Sequence, residues 1–300
     1  MKPKRSITFA AARGSVTFGT GENGFVFNTI SGSSVPAVTV FTTQAPEQHG
    51  AYRENALLEP RVLVFSGYVR GSDGAADNRV SMDKNLKVMA SVIGQVKEDM
   101  AITYTNTAGA YTAYGTVSAE VTTEARQNVL GIHYTPVTIT VTCCRPFWYA
   151  PQESVGKLRF NARGLKFPFK LPTTFGVGGY RLSIDNESAV PLPIKLEITG
   201  PAALPTILNA TTGKQLSIAK PLLTGEKLLI DTDPDNISVT HVDLYGAQQN
   251  ALGYVDATTD PDTFEFLQLA PGRNLLVYSS GDDTQNAQVI VKWRLAWVGV

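Results

Sequence analysis

The sequence is poor in cysteine, histidine and charge. Its 300 residues include two cysteines and three histidines, and charged residues make up 17%. The cysteines are neighbours, Cys143 and Cys144. Adjacent residues of a strand point to opposite faces, and a disulfide between them is strained. A disulfide framework is thereby excluded, which fits synthesis in a reducing cytoplasm. His49, His133 and His241 stand far apart, and neither H-x-x-x-H nor C-x-x-C occurs, so the spacing of a zinc site is missing. There is no G-x-S-x-G nucleophile elbow. The 26 basic residues cancel the 26 acidic ones. That balance gives nucleic acid or an acidic membrane no electrostatic hold. Long apolar runs are absent too. Segments 101–119 and 127–144 carry no Lys, Arg, Asp or Glu, but they are rich in Thr, Gly and Asn rather than Leu or Ile. A membrane span needs ~20 predominantly apolar residues. The opening MKPKRSITFAAARGS lacks the apolar stretch of a signal peptide.

What is present is alternation. Val137, Ile139, Val141 and Cys143 face one way, opposite Thr138, Thr140 and Thr142. Leu192, Ile194, Leu196 and Ile198 oppose Lys195, Glu197 and Thr199. Val289, Val291, Trp293, Leu295 and Trp297 predict one continuous terminal strand with an apolar face. These are half-buried antiparallel strands. The run Arg61–Arg70 differs, with Leu63, Phe65 and Val69 on one side and Val62, Val64 and Tyr68 on the other. Two apolar faces predict a strand packed twice, by a core and by a second body. Leu63, Phe65, Tyr68 and Val69 are therefore the candidate interaction residues. Turn residues are frequent, as at Gly71–Gly74, Thr105–Gly109 and Ala210–Gly213. Many short strands between regular turns predict a mainly β sandwich or barrel. One helix is expected over Met82–Val96, where Leu86, Met89, Ala90 and Ile93 fall at helical spacing.

Local motifs point to turns rather than chemistry. Gly19, Gly21 and Gly24 spell G-x-G-x-x-G, but the strand-like FVFNTI comes next, where a dinucleotide site needs a helix. A hairpin turn is expected there. Asp231-Thr-Asp233-Pro-Asp235 reads as a polar strand-end turn, with an irregular calcium site as the alternative. An EF-hand is excluded, because Asn236 and Val242 stand where Gly and Glu belong. Trp293 and Trp297 read as core, with sugar stacking as the alternative. Pro191 and Pro193 open the strand 192–199. Proline has no N–H for a ladder, so that strand is expected at a sheet edge. Composition shifts near 145–176, and the domain boundary is placed there, at 150–160.

The segment GLKFPFKLPTTFG, with Phe167, Pro168 and Phe169, resembles the one that introduces the C-terminal domain of phage distal tail proteins. The motifs downstream of it are similar too. Ile184-Asp-Asn186-Glu, Ile198-Thr-Gly200-Pro201, Pro205-x-Ile207-x-Asn209, Thr211-Thr212-Gly213, Pro271-Gly272-x-Asn274 and Val291-Lys-Trp293-Arg294 appear in the family's order. Gly50-x-x-Arg53, Pro60-Arg61 and Arg145-Pro146-Phe147-Trp148 resemble the family's first domain. The resemblance implies a siphophage tail-tip or baseplate hub component with two domains. Residues 1–155 would be a ring-forming split β-barrel with one helix, and residues 156–300 a galectin-like β-sandwich. It implies a homohexameric virion ring at the tail tip. Its partners would be other copies of the chain, the tail tube protein, a tail-associated fibre or lysin protein, and receptor-binding protein or host surface glycan. The reading is structural and non-enzymatic, with no cofactor and no metal. Two other readings are a lectin-like carbohydrate-binding module and, with least support, a wall hydrolase. A galectin-like fold does not by itself confer sugar binding.

Overall fold

Alternating Thr, Val and Ile runs separated by Gly and Asn turns give antiparallel strands almost throughout, with one α-helix among the described residues. The structure, a computed structural model, describes residues 5–47, 49–71, 78–95, 97–123, 126–127, 133–161, 179–257, 266–280 and 287–300. Phe167, Pro168 and Phe169 lie outside the described residues. The chain divides into two compact units. The first comprises residues 1–151 with 297–300, and the second Gln152–Ala296. The second is thus inserted into the sequence of the first.

The first unit contains β1 (Ser6–Ala11), β2 (Gly14–Phe18), β3 (Phe25–Ser31), β4 (Val38–Thr43), β5 (Tyr52–Leu58), β6 (Arg61–Arg70), α1 (Arg79–Ile93), β7 (Met100–Thr105), β8 (Ala110–Val117), β9 (Thr122–Thr123), β10 (Arg126–Gln127), β11 (His133–Cys143) and β12 (Trp148–Tyr149). The main sheet runs β2-β1-β7-β8-β11-β6-β3. Its two outer strands meet at one end only, through the bridges of Gly19 and Thr20 with Val26. Phe27 N–H donates to the Gly19 carbonyl at 2.8 Å. The result is a curled sheet that does not close, a split barrel. Inside it Phe9, Phe18, Phe25 and Phe65 pack edge-on or tilted, with centroids 4.6–6.0 Å apart. The G-x-G-x-x-G stretch is the turn leading into β3, with Gly24 N–H on the Gly21 carbonyl.

Helix α1 begins three residues before the expected start and ends at Ile93, where Gly94 N–H still reaches the Ala90 carbonyl. It buries Met82, Met89, Val92 and Ile93 against the sheet. Asn78 fixes its start by pairing with the backbone of His133, one bond in each direction at 3.1 and 3.3 Å.

The second unit contains β13 (Ser154–Asn161), β14 (Gly179–Asn186), β15 (Leu192–Thr199), β16 (Thr206–Asn209), β17 (Gln215–Ile218), β18 (Lys227–Asp231), β19 (Ser238–Val242), β20 (Gln248–Asn250), β21 (Val255–Ala257), β22 (Gln268–Leu269), β23 (Gly272–Ser279) and β24 (Gln288–Trp293). Strand β13 joins two layers. Its first half pairs with β24 and continues the layer β20-β19-β18-β15-β24, and its end pairs with β14 and continues β14-β23-β16-β17-β21. This is a β-sandwich, its core built by Ile184, Leu196, Ile198, Ile207, Leu216, Leu228, Ile230, Leu276 and Val291, among others.

The structure corrects two expectations. Strand β15 is not an edge, because β18 and β24 flank it. Its prolines are tolerated because they precede both ladders. Pairing with β24 begins at Ile194 and with β18 at Lys195, and Pro193 faces only Gln268 of the two-residue β22. Buried Thr232 receives the Ile194 N–H on its hydroxyl at 2.8 Å and returns its own N–H and O–H to the Ile194 carbonyl at 3.0 Å. The terminal alternation also breaks. Strand β24 ends at Trp293, Ala296 is buried, and Trp297 belongs to the first unit, edge-on to Tyr111 at 5.2 Å.

Candidate assembly surfaces

The sheet of the first unit does not include β4 and β5. They form a separate two-stranded ribbon, paired from Val38↔Leu58 to Thr43↔Tyr52 with a bulge between Phe41 and Thr42. Val38, Val40, Ala56 and Leu58 share one face near its base, and Phe41 and Leu57 stand on the other. Phe41 is 46% exposed, Leu57 54% and Tyr52 63%. A lone two-stranded ribbon is marginal in water, and here both faces carry uncovered apolar side chains. Cross-strand bonds from Thr39 to Glu59 and from Thr43 to Glu54 tie its length.

Strand β6 supplies the second surface. Its inner face, Leu63, Phe65 and Val69, is buried in the core, so three of the four candidate interaction residues are not available to a neighbour. Tyr68 is on the outer face, half-buried beside Tyr134 at 5.9 Å, in line with half-buried Val64 and half-exposed Val62. On this outer face Val62 is exposed and Val64 and Tyr68 are half-buried. Sequence reasoning does not reveal the ribbon. VTVFTT alternates like any half-buried strand, and nothing local shows that no sheet covers it.

The root of the ribbon is built around Arg61, 1% exposed. Its guanidinium lies over the Trp148 ring at 5.5 Å and donates to the carbonyls of Gly32, Ser34, Pro146 and Val298. Burial lowers its pKa, and the buried Cys143 thiol nearby works in the opposite direction. Gly32 has φ of 82°, and a Cβ there would fall 2.0 Å from the Val62 carbonyl oxygen, so no other residue fits this root.

In the second unit the scattered motif residues converge. Buried Asn186 donates to the Val190 and Leu269 carbonyls and accepts the Ser188 N–H. Buried Asn209 donates to the Gln268 carbonyl and to Asn274 Oδ1, both at 3.0 Å. Asn274 in turn bonds Ala270 through both amide atoms and donates to the Gly272 carbonyl. Three asparagines thus pin the 268–272 turn to β14, β16 and β23. Thr212 and Gly213 form the β16–β17 turn, with Gly213 N–H on the Asn209 carbonyl at 2.8 Å. Gly200 packs where a Cβ would sit 2.3 Å from the Leu223 oxygen. Trp293 is half-buried at the end of β24, opposite Ser154 and Ile194. These positions shape the sandwich.

Asp231 and Asp233 accept backbone N–H groups two residues on, as a strand-end turn does. Among the described residues no three His, Cys, Asp or Glu side chains group as metal ligands, and no helix is long and apolar enough to cross a membrane.

No family model and no curated protein matches the chain. Among solved structures, it is similar to the SPP1 Dit protein, described as a paradigm of the hub adsorption apparatus in phages infecting Gram-positive bacteria. The identity is 14%, over 97% of this chain and 98% of that one, with a TM-score of 0.64. It is also similar to a chain of the phage P2 baseplate in its activated conformation with calcium, at 12% identity over 100% of both chains and a TM-score of 0.52. For a chain of the p2 baseplate with strontium the values are 12%, 96% and 97%, and 0.50. The similarity runs through both units, and this chain has the fold of phage hub and baseplate proteins.

Proposed function

We propose that the chain is a structural subunit of the hub at the distal end of a phage tail. Six copies close into a ring that joins the tail tube to the tail-associated fibre or lysin protein and to receptor-binding proteins. The observation that carries this reading is the ribbon β4–β5, which among the described residues exposes apolar side chains on both faces, together with the partly exposed outer face of β6. An exposed apolar surface of this kind marks an interaction site. Two unlike surfaces on one chain are what a head-to-tail contact requires, and such a contact closes into a ring when its rotation allows. The residues 1–155 would form the ring, and 156–300 would lie at its periphery. The phage hub and baseplate fold supports the same placement.

The test is the mass of the purified protein in solution. A closed ring of six chains of 32.3 kDa gives about 190 kDa. A monomer that persists at micromolar concentration with tube and fibre proteins added would overturn the proposal.

A further inference from the structure

Among the described residues no core lies beneath the ribbon β4–β5, yet both its roots are held. Residues 32–34 lead into it, and all three carbonyls there are engaged. Arg61 takes those of Gly32 and Ser34, and the Ser33 carbonyl accepts both the Trp148 indole N–H and the Val300 N–H at 3.1 Å. The returning root is Arg61 itself, two residues after Glu59, whose N–H donates to the Ala37 carbonyl at 2.8 Å. Arg61 also holds the Val298 carbonyl. Between these bonds Gly299 lies flat on the root, where an added Cβ would come within 3.1–3.3 Å of Ser34 and Val35 backbone atoms.

From this we infer that residues 298–300 are a latch. They close over residues 33–35, with Arg61 as the positioning residue, and so fix the direction in which the ribbon projects. The physical reason is leverage. A ribbon stabilised only by its own ladder keeps one pose if its roots are pinned, and samples many if they are not. The latch lies far along the chain from the root it closes, and one of its bonds, Arg61 to Val298, spans 237 residues. The latch acts within one chain and holds whether or not the ring forms.

Amide hydrogen exchange of the full chain tests it, in dilute monomeric samples so that assembly does not enter. The comparison is the native chain against a chain lacking residues 298–300, and against Gly299→Val, which wedges the latch off Ser34. In both variants the amides of 38–58 are expected to exchange about tenfold faster, while α1 and β15 keep native protection. Ribbon exchange within about twofold of native in the shortened chain would overturn the latch. So would uniform loss of protection through α1 in both variants, because residues 298–300 would then be core rather than latch.

Discussion

Arg61 shows how a single side chain can organise a region without chemistry. It gives five hydrogen bonds to four carbonyls around a buried guanidinium. Arg61→Ala would orphan those acceptors, each costing about 1–3 kcal/mol, so a loss of about 3 kcal/mol or more is expected in urea unfolding. Beside it, burial pushes the Cys143 thiol up to about 12, against the pull of Arg61. Cys143 is buried and Cys144 exposed. A thiol reagent at neutral pH should therefore find one reactive cysteine per folded chain and two in denaturant. Glu226 gives a pH dependence of definite sign. Its carboxylate accepts the Leu223 N–H at 2.8 Å and lies 3.3 Å from His241 Nε2, and these hold its pKa below the ordinary value against burial. A lowered carboxyl pKa stabilises the fold above the unfolded value and loses that effect as pH falls through the folded one. Glu226→Gln should cost about 1 kcal/mol at pH 7. The gap between variant and native should close on acidification below about pH 4. A gap that persists in full well below about pH 4 would refute this assignment.

Among the elements, those with a strict period are legible in the sequence. β11 and β15 bury the apolar sets their alternation marks, and the helical spacing around Leu86 and Met89 locates α1 to within three residues at either end. Where the sequence misleads, the missing information is long-range. Two prolines at the start of a strand look the same whether the strand is an edge or begins its ladders one residue later; Thr232, 38 positions on, decides between them. The alternation through Trp297 cannot show that the chain leaves one unit for the other at Ala296. The sequence marks β6 as doubly apolar, yet which face meets the core depends on β3 and β11. The ribbon has no local signature because exposure is a property of what does not pack against it. The asparagines are recognisable as positions but not as a group, since their bonds connect residues up to 83 positions apart.

For the whole molecule, the question is what kind of force would hold copies together. The formal net charge is zero at pH 7, so copies neither repel nor attract one another strongly at long range. The ribbon offers Val38, Val40, Phe41, Tyr52 and Leu57, and the outer face of β6 offers Val62, Val64 and Tyr68. Both carry apolar side chains that are exposed or half-buried. Association by such surfaces is hydrophobic, and Debye screening hardly touches it. Raising salt to about 1 M, where charge interactions reach only about 3 Å, should leave the assembly intact. Placing a charge on the ribbon should not. Phe41→Asp lies away from the barrel core, so unfolding of the monomer should change by no more than about 0.5 kcal/mol, as for other surface substitutions. Burying an unpaired carboxylate in a contact repeated around a ring costs several kcal/mol at each copy. If the native chain forms the proposed ring, sedimentation of Phe41→Asp should then give the monomer alone at the same concentration. An assembly that dissolves in salt but tolerates Phe41→Asp would place the contact on charged surface elsewhere and remove the ribbon from it.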